Sequence, residues 1–444
     1  MFQRLPDIKM GTFNQKDKAP SARFSMTEVK KYIMANIKPF QGYLPPPEIA
    51  KKVSSPPYDT LSSDEAREMV QNNSDSFLRI IKPEIDYSPG KEPDSETLHH
   101  HAAENLQAFI RSGKLQKDKN PSFYIYQISM DQHTQTGIIA AVSVQEYNEG
   151  LIKRHEFTRP EKENNRTRHF EITNANTGPV LLTFRNNGEF QDQISDITNL
   201  GPDITFQADD GTNHSLWKIT SPTTLESLNR YFESIPALYI ADGHHRAASA
   251  SRVQKIRQEN NPQHQGNESY NYFLSVIFPH DEMQIQGYNR LVKDLAGLSD
   301  DRFLELIKTN FIIKELPNVQ SPYQRHTFSM YLNGNWYRLN AKNKIISDDP
   351  VAGLDASILQ DHLLNPILEI DNPRTNNRID FVGGIRGLEE LERRCSLDAK
   401  VAFALHPVSI DELLTVADAD KVMPPKSTWF EPKLRSGLVV RLLD

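Results

Sequence analysis

The sequence predicts a mixed α/β fold (α+β in its segregation of elements) built on a mixed sheet. Three observations predict it. The run SFYIYQIS at 122–129 alternates in period two, and GIIAAVSV at 137–144 is apolar and β-branched, so the two read as an antiparallel pair around the polar stretch 131–136. Between 96 and 112 apolar residues recur at helical spacing (Leu98, Ala102, Leu106, Phe109, Ile110) and stop at Gly113. At 237–241 a short apolar strand runs straight into the polar turn Asp242-Gly243-His244-His245-Arg246 and an Ala-rich helix.

In chain order, residues 1–33 read as an extension carrying Arg4, Lys9, Lys16 and Lys18, without the apolar core of a secretory signal, and the catalytic region is expected to span 34–444. Pro39, Pro45, Pro46 and Pro47 make an extended entry, as does VSSPPYD at 53–59; Ser62 with Glu65 forms a capping box that starts a helix through Asn72. Further short strands are expected at 181–185 and 215–220, a helix at 223–232, a buried strand at 272–278, helices at 300–308 and 356–364, and a final strand at 438–442. The polar stretches 83–94 and 260–269 are linker candidates, neither of which clearly divides domains.

Length and composition bound what such a chain does. Its 444 residues suffice for two or three lobes, and 37% apolar with 25% charged residues is globular composition. Lys and Arg number 51 against 58 for Asp and Glu, giving −7, which disfavours nonspecific binding to nucleic acid or anionic lipid. Cys395 is the single cysteine, so an intramolecular disulfide and a multi-cysteine metal site are both excluded; this suits a reducing, cytoplasmic setting. No apolar run approaches the ~20 residues of a membrane helix. Oligomeric state is not readable from the sequence.

Two segments carry chemistry. A buried strand that breaks at Gly243 into a helix offers free backbone N–H groups and the positive end of a helix dipole, an anion site to which Arg246 adds a forked donor. An ordinary polar surface turn is the competing account. The second segment, from His155 to His169, sets Arg159, Lys162, Arg166 and Arg168 among carboxylates in a loop or short helix, enough to hold a polyphosphate and to supply a base or a Mg²⁺ ligand; a solvated charge run is the alternative. His99, His100 and His101 point to different helix faces and are expected at the surface or its boundary. His406 reads as a structural histidine, with a strand-end site residue as the alternative, and Met423 to Lys433 as a rigid, aromatic-tipped loop suited to closing over a pocket. A Walker-type loop and a GxGxxG motif are both missing.

Taken together, IKPFQGYLPP at 37–46, SPPYD at 55–59, HEFTRPEKE with NNRTRH at 155–169, NANTGPVLLTFR at 174–185, YIADGHHRAASA at 239–250, YNRLV at 288–292 and MPPKSTWFEPK at 423–433 resemble a large bacterial family known as a domain of unknown function. The Asp242–Arg246 turn also resembles the Gly-x-x-Arg phosphate turn of the ParB and sulfiredoxin superfamily, which includes kinases of free L-serine. That resemblance implies a ParB/sulfiredoxin-like core with large insertions and transfer of a phosphoryl group to L-serine from pyrophosphate or a nucleotide, with Mg²⁺ as cofactor. It implies Glu156 as base with Asp242 as second choice, and His245 beside them in catalysis. Gly243, His244, Arg246, Lys162, Arg166 and Arg168 are then the phosphate ligands, Thr158 and His155 bind substrate, and Asp242 holds Mg²⁺. One departure is Asn165, where the family pattern leads one to expect an acid. A phosphatase, a non-catalytic phosphate or nucleotide sensor and a ParB-like DNA-binding switch are the competing functions. The last should bring a basic face, which −7 argues against.

Overall fold

The computed structural model describes residues 35–443, so the expected extension over 1–33 lies outside the described residues. Two sheets organise the chain. The first has nine strands, in the order Ile152–Lys153, Leu238–Asp242, Val180–Phe184, Tyr272–Pro279, His133–Ser143, Phe123–Met130, Asn213–Ile219 and Ile204–Gln207, with Ile37–Lys38 added against His133–Ser143. It is mixed, as expected: Tyr272–Pro279 runs parallel to Val180–Phe184, and Leu238–Asp242 parallel to Ile152–Lys153, while the other pairings are antiparallel.

Period-two alternation in this sheet sorts side chains between two cores rather than between core and water. From Phe123–Met130, Phe123 and Ile125 join Leu182, Ile240 and helix residues Leu228, Phe232 and Val253 on one face. Tyr124 and Tyr126 face the other way, with Leu181, Tyr239, Val276, Leu413, Val416 and Phe430. Each strand buried on both faces reads as a near-continuous apolar run, which is why 137–144 lacks alternation.

The second sheet has six antiparallel strands, in the order Phe311–Leu316, Asn335–Ala341, Thr327–Leu332, Val401–Leu405, Tyr288–Val292 and Ile379–Gly383. One face packs Phe328, Met330 and Phe403 on the helix Asp300–Ile307 and on the helical run from Asp355 to Leu368. The other packs Leu291, Trp336 and Ala402 on Leu391 of the helix Glu389–Leu397. Only Val401–Leu405 in this sheet stands out as an apolar run; Phe311–Leu316 and Asn335–Ala341 are half exposed and interrupted by charge, so their pairing is set by tertiary context.

The expected capping box is present, with Ser62 and Glu65 starting the helix Ser63–Val70. The expected final strand is shorter, Arg441–Leu442 paired with Ala175–Asn176, because Val440 bridges to Tyr43 instead. His99 is corrected from surface to core: it is 4% exposed, hydrogen-bonds Ser95 at 3.2 Å and meets the His169 ring edge-on. Among the described residues, no helix is long and apolar enough to cross a membrane.

Candidate active site

The strand Leu238–Asp242 shifts register between Ile240 and Asp242, a bulge that re-aims its last residue. Gly243 follows at φ +95°, where a Cβ would also lie 3.0 Å from Arg246 Nε, and the 16-residue helix His244–Glu259 starts there without a side-chain cap. The Gly243 N–H donates to Asp242 Oδ1 at 2.8 Å, and the Arg246 and Ala247 N–H groups turn back to the Gly243 carbonyl. The amides of His244 and His245 are left without a backbone acceptor among the described residues, at the positive end of the dipole.

The three side chains after the glycine are differently employed. Arg246 is 6% exposed, donates to the Pro179 carbonyl and stands 3.8 Å from Asp242 Oδ2. From this buried position it braces the turn and sets its charge beside Asp242. Burial by itself would raise the Asp242 carboxyl, but the charges of Lys433 and Arg246 outweigh it and hold the group at about 2. His244 is buried, lies edge-on to His155 at 4.5 Å, and burial keeps it neutral. His245 Nε2 accepts the Arg159 N–H at 2.9 Å, and burial followed by the Lys162 charge lowers its pKa to about 4. Both rings are therefore neutral near pH 7, and His245 ties the turn to the second predicted segment.

That segment is a 14-residue helix, Pro160–Thr173, with Arg159 at its N-cap, Pro160 in its first turn and Asn174 in the left-handed conformation at its end. Lys162 and Arg166, four residues apart, share a face. The Arg166 guanidinium is buried over the Tyr58 ring at 4.2 Å and donates to Asn165 Oδ1 at 3.3 and 3.0 Å, so the amide orients the arginine where an acid was expected. Arg168 is not brought to the site: two positions beyond Arg166, about 200° around the helix, it is exposed and paired with Glu96. Thr158 hydroxyl donates to Glu163 at 2.7 Å. His155 is 2% exposed, burial lowers it to about 4, and its ring nitrogens have no well-aligned partner among the described residues.

Glu156 has no side-chain hydrogen bond or ion pair among the described residues; burial raises its pKa and the nearby Lys426 charge opposes that rise. Lys162 is lowered by burial and by the neighbouring Lys426 and Arg159. Cations from three separate segments, Arg159, Lys162, Arg166, Arg246, Lys426 and Lys433, thus act on Asp59, Glu156 and Asp242.

Four of these residues were quoted in motifs but given no role by sequence reasoning. Tyr58, raised to about 12 by burial, and Asp59 come from SPPYD; Lys426, with φ 59°, and Lys433 come from the aromatic-tipped loop. Lys433 lies 4.3 Å from the Trp429 ring centre, and Lys426 5.3 Å from that of Tyr288. A buried network holds the loop: Arg435 donates to His214 Nε2 and Thr212 Oγ1, each at 3.1 Å, and pairs with Asp210, while His214 Nδ1 bonds Tyr126 at 2.9 Å. The Ser55 and Ser436 backbones exchange two hydrogen bonds of 2.9 Å, joining the loop to SPPYD.

Among the described residues, no group of three or more His, Cys, Asp or Glu side chains is gathered to hold a metal ion. Asp242 is a lone carboxylate, and Mg²⁺ where it binds phosphates takes one or two carboxylates and fills its shell from substrate oxygens and water, so the residue present is compatible with that ion.

Residues 37–357 match the family described as "Protein of unknown function (DUF1015)", and the chain belongs to that family. Among solved structures it is similar to a free serine kinase mutant in complex with AMP, at 13% identity and a TM-score of 0.34, covering 66% of this chain and 87% of the other. It is also similar to a conserved hypothetical protein from Pyrococcus furiosus (13%, 0.35, 69% and 95%) and to SbnI with C-terminal truncation from Staphylococcus aureus (11%, 0.36, 68% and 87%). No curated protein matches the sequence.

Proposed function

We propose that this protein transfers a phosphoryl group from pyrophosphate to the hydroxyl of free L-serine, giving O-phospho-L-serine and orthophosphate. The observation that carries the reading is the concentration of six cations around a strand-to-helix anion turn, with Glu156 in their midst at a raised pKa. The amides of His244 and His245 hold one phosphoryl group, and Lys162, Lys426 and Lys433 neutralise the other. Glu156 takes the hydroxyl proton as the serine oxygen attacks phosphorus in line; the bridging P–O bond breaks and orthophosphate departs with its electron pair. Mg²⁺, when bound by Asp242, supplies charge neutralisation of the donor oxygens. The choice of serine rests on the resemblance of the Gly243–Arg246 turn to that of the free-serine kinases.

One observation favours a nucleotide donor as second reading. Beside Lys433 and Trp429 lies a cavity of about 370 Å³, bordered by Leu61, Met69, Met130 and Ile385, which matches the organic part of a nucleotide in size and polarity. The test of both is a donor-by-acceptor screen of the full chain read by phosphorus NMR. Phosphoserine from pyrophosphate and L-serine supports the first reading, phosphoserine from ADP or ATP alone the second. Orthophosphate with no phosphoserine in any combination refutes transfer to serine and indicates a phosphatase.

A further inference from the structure

We propose that Tyr58 is a further residue of the phosphate site: its ring holds Arg166 in place for a phosphoryl group of the donor, and its hydroxyl donates to an oxygen of the same group. The proposal rests on the reading of the Gly243 turn as an anion site, and not on the identity of the acceptor.

Tyr58 and Asp59 sit at the tip of a tight turn that is closed twice on the Pro57 carbonyl, by the Thr60 N–H at 3.3 Å and by the Thr60 hydroxyl at 2.8 Å. Two prolines and the bonds between Ser55 and Ser436 hold the base of that turn. Tyr58 is therefore fixed in the fold although it lies outside regular structure. It packs against the core that contains Val53, Phe77 and Phe109, and the Arg166 guanidinium lies over its ring at 4.2 Å.

Arg166 is the unusual member of this pair. It is only 9% exposed, yet among the described residues no carboxylate lies within ion-pairing distance of it. Its Nε and Nη2 share the neutral Asn165 amide, and its Nη1 makes no hydrogen bond among the described residues. A guanidinium taken out of water without a counter-charge is strongly disfavoured, and the face of an aromatic ring offsets only part of that cost. Its burial points to an anion brought in from outside the chain.

The phosphate turn is the neighbour of this pair. The Arg246 charge acts on both Tyr58 and Arg166, and the Asp242 charge acts on Tyr58. The Tyr58 hydroxyl has no hydrogen bond among the described residues, and burial, which raises it to about 12, keeps its proton in place through the neutral range. A planar fork of N–H donors beside a phenolic O–H suits a tetrahedral oxyanion, which offers several acceptor oxygens at once.

The test is calorimetric titration of the full chain with methylenediphosphonate, a pyrophosphate analogue that resists cleavage, in Mg²⁺ buffer. The proteins compared are wild type, Tyr58→Phe and Tyr58→Leu, each also in an Arg166→Gln background. Expected in Tyr58→Phe is a loss of about tenfold in affinity at a melting temperature near wild type, since the hydroxyl has no partner within the protein to lose. Tyr58→Leu should lose about a hundredfold when Arg166 is present. In the Arg166→Gln background it should lose no more than Tyr58→Phe, because the ring then has no guanidinium to hold. Wild-type affinity in Tyr58→Phe overturns the hydroxyl contact, an equal cost of Tyr58→Leu in both backgrounds overturns the role of the ring, and absence of analogue binding to wild type overturns both. If the analogue binds in this Tyr58-dependent way and no donor yields phosphoserine, Tyr58 keeps its place in the site and transfer to serine fails.

Discussion

Replacing Glu156 by Gln separates proton transfer from everything else the site does. The side chain keeps its shape and loses its negative charge, and with it its ability to accept a proton. Among the described residues Glu156 makes no side-chain hydrogen bond or ion pair, so the substitution breaks no contact, and burial already disfavours its ionised form. Stability should therefore change by no more than about 1 kcal/mol. The loss of a positioned base costs about 10²–10⁴ in rate, which at about 1.36 kcal/mol per decade is roughly 2.7–5.4 kcal/mol of transition-state stabilisation. The assay is the initial rate of phosphoserine formation at saturating serine, alongside donor affinity and thermal melting. The expected pattern is a collapse of kcat with donor affinity and melting temperature nearly unchanged. Wild-type turnover in Glu156→Gln would refute the assignment and move the base to Asp242.

Arg246→Ala and His245→Ala should part company. The first removes a buried guanidinium from the Pro179 carbonyl and from Asp242, costing about 3 kcal/mol of stability along with activity. The second gives up one hydrogen bond to the Arg159 amide, costing about 1 kcal/mol, so its activity should fall further than its melting temperature; equal losses of both would favour a purely structural turn. Arg435→Ala should destabilise by about 2–4 kcal/mol in urea titration, since it strips the buried His214 and Thr212 of their shared donor, and it should weaken donor binding by freeing the loop that carries Lys426 and Lys433. Unchanged donor affinity in a folded Arg435→Ala would show that the loop holds its place without this anchor. Finally, kcat/KM should fall on the acid side through a group titrating above the ordinary glutamate value of 4.5, because Glu156 must be ionised to act and burial raises its pKa; the limb should be missing in Glu156→Gln.

Much of this protein could be read along the chain, where the signal is local. The capping box at Ser62 and Glu65, the helix stopped by Gly113 and the strand-to-helix turn at Gly243 each depend on residues within a few positions of one another, so propensity and spacing suffice. The same holds for Glu156, Lys162 and Arg166, which fall together on either side of one helix N-terminus.

Tertiary structure decided what local order cannot. The second sheet escaped notice because strands such as Asn335–Ala341 are half exposed and owe their form to their neighbours. Arg168 looks equivalent to Arg166 in the sequence, yet the turn of the helix sends one to solvent and the other beneath Tyr58. Lys426 and Lys433 lie about 180 residues from the Gly243 turn, and the bonds of Arg435 to the first sheet, of Ser436 to Ser55 and of Trp429–Glu431 to Gln284–Gln286 bring them there. The sequence by itself determined which chemical groups were available; the long-range packing determined which of them meet, because charges act over ångströms and not over positions in a chain.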